Sequence, residues 1–288
     1  MHQFEYVAPS KLADATALMA KHAGSARMLA GGTDLLIFMR VGRRTPDVVI
    51  DAKKIPELTQ LEVASDQLTI GASVTCREIW ENAEIAAKFP ALIDATTLIG
   101  GVQIQGRASI GGNLCNAAPS ADTVPAIIAY GATAHVANNS GTRDLPVEEI
   151  CTGPGQTSLA ADEILVNITV PMPPASAGAK FLRFIPRNEM DIAVANVGSY
   201  VELDGNNIKS ARVAIGAVAP TPLFVEAAGN SLVGKTISDE AIATAAAIAR
   251  EAASPINDMR GTVEHRKQLV EVLTRRTLNG AIARAKGE

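Results

Sequence analysis

The chain has 288 residues and a formal net charge of −4; 47% of the residues are hydrophobic and only 3% aromatic. That length allows two or three compact units, and alanine and the aliphatic residues must do most of the packing. No basic stripe with interleaved aromatics points to nucleic acid, no apolar run reaches the roughly 18–20 residues of a membrane span, and the N-terminus lacks a signal-peptide pattern. A cytoplasmic protein is therefore expected, with any membrane association coming through a complex.

Residues 1–55 read as a small α/β unit. Phe4–Val7 is a strand. A helix follows, with Leu12, Ala15, Leu18 and Met19 at helical spacing, Ser10 as its N-cap and Gly24 as its stop. Arg27–Ala30 and Asp47–Asp51 are further strands, and this alternation suggests partly parallel pairing. Residues 56–175 read as α+β. Strands are predicted over Gln67–Val74, Thr133–Ala137 and Glu163–Val170, and helices over Thr75–Trp80, Ala91–Ile99 and Val124–Ala129. The proline-rich stretch 171–178 is a linker. Residues 176–288 form a third unit, with strands over Lys180–Ile185, Val194–Leu203 and Lys209–Val218. Asp204–Gly205 is placed for a hairpin turn, and helices cover Asp239–Ala253 and Val263–Ala285.

Two stretches carry the chemistry. Ala30–Leu35 reads AGGTDL and Ser109–Leu114 reads SIGGNL, each a double glycine after a short apolar run. Adjacent glycines uncover backbone amides and permit φ > 0, so successive N–H groups can hold an anion. Two such arms can grip a diphosphate from both sides; each alone also suits a tight turn. Neither is G-x-G-x-x-G or G-x-x-x-x-G-K-[ST], so the Rossmann and P-loop fingerprints are missing. Thr33 and Asn113 suit either phosphate contacts or capping. Asp34 and Asp122 would repel phosphate and suit sugar hydroxyls or backbone amides instead. Cys76, Cys115 and Cys151 are odd in number and far apart, so they form neither a disulfide framework nor a C-x-x-C pattern. An iron–sulfur cluster takes four cysteines, more than this chain has. Cys115 lies in the second glycine stretch, where it can line a pocket. The four histidines are scattered, with no nucleophile or metal spacing.

Five motifs in order now form a pattern: AGGTDL at 30–35, SIGGNL at 109–114, Asp122, the K-x-x-R-x-x-x-R…DIA run at 180–193, and P-x-x-D-x-R-G at 255–261. Over nearly its whole length the chain resembles the FAD-binding medium subunit of the molybdenum hydroxylases, the family of xanthine dehydrogenase and carbon monoxide dehydrogenase. The resemblance implies an α+β chain with a vanillyl-alcohol-oxidase-type (PCMH-type) FAD-binding fold. Two α/β subdomains, 1–55 and 56–175, would bind FAD between them, and a C-terminal α+β domain, 176–288, would add a small antiparallel sheet and helices. It implies that Ala30, Gly31, Gly32, Thr33 and Asp34 hold the pyrophosphate together with Ser109, Ile110, Gly111, Gly112 and Asn113. Met28, Leu29 and Leu35 would flank the first arm, and Ile99 and Gly100 would approach the adenosine. Asp122 would hold a sugar hydroxyl, Ile192 would lie near the isoalloxazine ring, and Lys209 would complete the set. Ile192 departs from relatives that carry tyrosine there.

On this resemblance the chain is the electron-transfer subunit of a heterotrimer, itself paired into a dimer of heterotrimers. A large subunit with a molybdopterin cofactor would oxidise a purine, N-heterocycle, aldehyde or CO. A small subunit with [2Fe–2S] clusters would relay electrons to FAD on this chain, which would pass them to an external acceptor. No residue of this chain need act as catalytic acid or base, and none is a metal ligand. Two other readings remain at this point: a stand-alone flavin-dependent oxidase of the same fold, and a non-enzymatic nucleotide-binding assembly protein.

Overall fold

Three larger sheets and a two-stranded one, Cys151–Gly153 with Gln156–Thr157, carry the chain in the computed structural model, which describes residues 2–288. In the first, Val48–Asp51 lies between Glu5–Val7 and Ala26–Leu29, and both pairings are parallel. Every residue of Val48–Asp51 is buried, as a central parallel strand covered on both faces must be. The helix Leu12–Lys21 sends Ala15 and Met19 into the core. Its N-cap is Lys11, which makes no side-chain capping bond. The expected Ser10 cap is thus one residue too early. A helix over Leu35–Arg40 escaped the sequence reading; its six residues are too few to display a period, and Asp34 before it makes no capping bond.

The second sheet is antiparallel, in the order Leu61–Val63, Gln67–Gly71, Ile164–Pro171, Thr133–Asn138, Gly141–Pro146. The strand predicted to reach Val74 stops at Gly71. There the backbone presses on Leu58, whose carbonyl oxygen stands 2.5 Å from where a Cβ would be. Leu61–Val63 and Gly141–Pro146 were not foreseen. Both are edge strands: the Leu-Glu-Val alternation of the first is only three residues long, and the second is exposed at nearly every residue, so neither displays a period that stands out. Helices pack against this sheet. Cys76–Glu81 starts at a capping box in which Thr75 and Glu78 satisfy each other's backbone amides. Thr123–Ala129 is buried at every residue.

In the third sheet Ala195–Asp204 and Asn207–Gly216 form the expected hairpin, with Gly205 at φ +59 in its turn. Ala177–Phe184 and Leu223–Phe224 flank them. Bare glycines let helices approach both faces. A Cβ on Gly178 would lie 2.2 Å from the Ala281 carbonyl oxygen of helix Val263–Ala285, and one on Gly198 would lie 2.4 Å from that of Pro125 in helix Thr123–Ala129. No helix among the described residues is long and apolar enough to cross a membrane.

Asp94, on helix Pro90–Thr96, ties this third sheet to the second unit. It accepts hydrogen bonds from Lys180 Nζ at 3.1 Å, the Phe181 amide at 3.1 Å, and both terminal nitrogens of Arg284 at 2.7 and 3.0 Å. Lys180 and Arg183 reach different carboxylates, Asp94 and Asp122. Removing Asp94 leaves two cations and an amide facing one another without an acceptor. Asp94→Ala is therefore expected to cost about 2–3 kcal/mol of stability, read as a lowered midpoint in urea with an unchanged slope.

Candidate functional site

The first glycine arm leaves the C-terminal end of strand Ala26–Leu29. Gly32 takes φ +78 there, a value that glycine adopts without steric cost. From behind, Lys53 Nζ donates to the Ala30 carbonyl at 3.3 Å and to Asp51 at 2.6 Å. The amides of Gly31, Gly32, Thr33 and Asp34 donate to no acceptor among the described residues.

The second arm works by a different device from the one expected. Gly111 and Gly112 do not take positive φ; they lie in the first turn of a helix, Ile110–Asn116. Its opening amides are unpaired because a helix leaves its first N–H groups without internal partners. The Ser109 hydroxyl takes one of them, accepting from Gly112 N at 3.0 Å, and the Gly111 amide meets no acceptor among the described residues. Glycine is required at 111 for space: a Cβ there would lie 2.5 Å from the Ala72 carbonyl oxygen.

The two arms touch. A Cβ on Gly31 would fall 1.7 Å from the carbonyl oxygen of Arg107, two residues before Ser109. Arg107 Nε in turn donates to the Gly31 carbonyl at 3.1 Å. Between and beside the arms lies a cleft with a cavity volume of about 430 Å³, within the usual range for small-molecule sites.

Most of the residues singled out in the sequence come together here. The first arm lines the cleft from Ala30 to Leu35, with Met28 before it; the second contributes Ser109, Gly111, Gly112 and Asn113; Ile99 reaches the same wall. Cys115 also lines it. The others stand elsewhere. Leu29 and Ile110 are buried in the core under the arms, and Gly100, at φ +55, turns against Ile104. Ile192 is 50% exposed on the loop before strand Ala195–Asp204. Lys209 lies on the C-terminal hairpin, paired with Glu202 at 2.7 Å. Asp122 lies behind the second arm, pairing with Arg183 and accepting from Asn196 Nδ2 at 3.1 Å. Burial pushes its carboxyl above the ordinary value, against the pull of Arg183 and Asn196.

One wall was invisible in the sequence. Residues of the segment 155–165, among them Leu159, Ala160 and Glu163, also line the cleft. This segment is tied to the end of the second arm by the Gly155 amide, which donates to the Ala117 carbonyl at 3.0 Å. Glu163 would be an awkward neighbour for an anion. Arg143 offsets it with two hydrogen bonds, at 2.6 and 2.7 Å, and holds its carboxyl below the ordinary range. Arg27 and Arg44 add positive charge to the lining. No local motif announces these residues, because the strands that bring them here pair over long sequence separations.

Unpaired amides on two abutting arms, bare α-carbons with no room for a side chain, and a cleft of this size fit a dinucleotide with a central diphosphate. The comparisons with known proteins agree. Residues 2–173 match the family model described as FAD binding domain in molybdopterin dehydrogenase, and residues 180–281 match that of the CO dehydrogenase flavoprotein C-terminal domain. The chain is 31% identical to the xanthine dehydrogenase FAD-binding subunit of Escherichia coli O157:H7, covering 98% of this chain and 97% of that one. It is 31% identical to the carbon monoxide dehydrogenase medium chain of Afipia carboxidovorans, covering 98% of each. A solved carbon monoxide dehydrogenase chain from Hydrogenophaga pseudoflava superposes with a TM-score of 0.94 at 31% identity over 98% of both chains.

Proposed function

This chain belongs to the family of FAD-binding medium subunits of xanthine dehydrogenase and carbon monoxide dehydrogenase, and from that premise we propose that its cleft holds FAD with the diphosphate between the two glycine arms. The observation that carries the reading is that the unpaired amides of Gly31–Asp34 and Gly111 open on one cleft from two arms in contact. Bound FAD supplies the redox chemistry. The chain's own residues bind and orient it: the arm amides offset the diphosphate charge, Arg143 keeps Glu163 from opposing it, and the wall over 155–165 keeps water from that side. Within the chain, 1–55 and 56–175 serve as the two FAD-binding subdomains and 176–288 as the C-terminal domain.

The role is that of an oxidoreductase subunit for electron transfer. It works beside a large molybdenum-binding subunit and a small [2Fe–2S] subunit, and it hands electrons to an external acceptor. Substrate oxidation belongs to the large subunit.

The purified full chain, incubated with FAD and passed through a desalting column, is expected to retain one flavin per chain. ADP is expected to compete and riboflavin, which lacks the diphosphate, to bind far more weakly. Riboflavin binding as tightly as FAD would overturn the diphosphate assignment. Co-purification from the native source, with iron and molybdenum analysis, tests the complex; a preparation with neither metal would remove it.

A further inference from the structure

Two side-chain amides of helix Ile110–Asn116 line the cleft, Asn113 and Asn116, and of these Asn113 directly follows the double glycine. An amide has two chemically opposite ends, an acceptor oxygen and a donor NH₂. Beside an anion only the donor end helps, so something must decide which end faces the cleft. Here that decision comes from outside the arm. Asn113 Oδ1 accepts two hydrogen bonds from Thr123, one from the hydroxyl at 2.7 Å and one from the backbone amide at 3.3 Å. A backbone N–H can only donate, so the atom facing it must be the oxygen. Asn113 Nδ2 meets no acceptor among the described residues. Thr123 itself is fully buried at the start of helix Thr123–Ala129 and does not line the cleft.

We infer that Thr123 is a positioning residue: its hydroxyl and amide fix the Asn113 side chain with oxygen inward, so that Nδ2 is presented to an anionic group in the cleft. The inference rests on the diphosphate reading above and adds the residue that sets donor polarity at the second arm. Thr123 follows Asp122, which Arg183 and Asn196 hold from the C-terminal sheet. The orientation of a cleft amide is thereby anchored to a different sheet of the fold.

The test is a double-mutant cycle on the full chain, read as the dissociation constants of FAD and of ADP. Thr123→Val keeps the volume and removes the hydroxyl, leaving one weaker bond to Oδ1. It is expected to weaken both ligands about tenfold, the scale of one hydrogen bond to a charged group, and Thr123→Ser is expected to restore them. In an Asn113→Ala background the same Thr123→Val change is expected to have no further effect. An equal loss in that background would make Thr123 merely structural and overturn the inference, as would unchanged affinity in the single variant. Wild-type chain that binds neither FAD nor ADP would instead remove the cleft reading, and this inference with it. Should the valine variant not fold, Asn113→Asp decides. It puts a carboxylate oxygen where Nδ2 stands and is expected to weaken FAD more than Asn113→Ala does; equal losses would mean that this end of the side chain does not face the anion.

Discussion

Gly31→Ala is expected to strip the chain of flavin. The added methyl carbon would stand 1.7 Å from the Arg107 carbonyl oxygen and 2.4 Å from its carbon. Both are backbone atoms, so no rotamer change relieves the contact and the two arms must part. Overpacking of this kind costs up to about 3 kcal/mol, which corresponds to a roughly 100-fold loss of affinity if it falls on the bound geometry. Gly111→Ala should act in the same direction, because its methyl would meet the Ala72 backbone at 2.5 Å. Gly106→Ala is the control. That glycine adjoins the second arm at an ordinary helical φ of −71, and an added Cβ would meet nothing within 4 Å. It is expected to keep full flavin content. The readout is visible flavin absorbance per chain after desalting. Full occupancy in Gly31→Ala would show that the arms do not hold the ligand jointly.

The second large effect is on stability and depends on pH. The Arg183 and Asp122 side chains are 4% and 9% exposed, and they pair across the junction between the second arm and the C-terminal sheet. Arg183→Leu leaves the carboxylate buried with only Asn196 to satisfy it, and is expected to cost about 3–5 kcal/mol near neutral pH. The pH dependence follows from the direction of the shift. Burial holds the folded Asp122 carboxyl above its ordinary value, so the folded state binds this proton more tightly than the unfolded chain. Stability from this group is greatest below the unfolded value, about 4, and is lost as pH rises through the folded one. Without Arg183 the folded value rises further and the window widens upward. The deficit of the variant relative to wild type should therefore shrink as pH falls toward the unfolded value, as Asp122 takes up its proton in both. Urea midpoints across that range check it. A deficit that stays flat or grows in acid would mean that the lost guanidinium mattered through packing alone. Adding Asp122→Asn to Arg183→Leu is expected to recover part of the loss at neutral pH, since no charge then remains buried.

The long C-terminal elements were legible because their signals are local. Val263–Ala285 was read with its observed bounds, and the Asp204–Gly205 turn closes the hairpin it announced. The parallel pairing of the first sheet also follows from the order of its strands. The double glycines marked both arms, but the reason for the second was misread: it is a helix start pressed against Ala72, with no left-handed turn. A sequence reports that a side chain is missing; whether torsion or a neighbouring backbone excludes it depends on what stands opposite.

What the sequence determined by itself is therefore the set of parts: two bare-backbone arms, their order, the strands and helices that follow from hydrophobic period, and the family. The tertiary structure alone decided that the arms meet at Arg107, that Glu163 and its neighbours wall the cleft, that Asp122 is held by Arg183 and Asn196, and that Thr123 orients Asn113. The physical reason is range. Torsional preference and hydrophobic period act over a few residues along the chain, whereas these contacts join residues 10 to 76 positions apart, and they form only where packed sheets and helices bring them together.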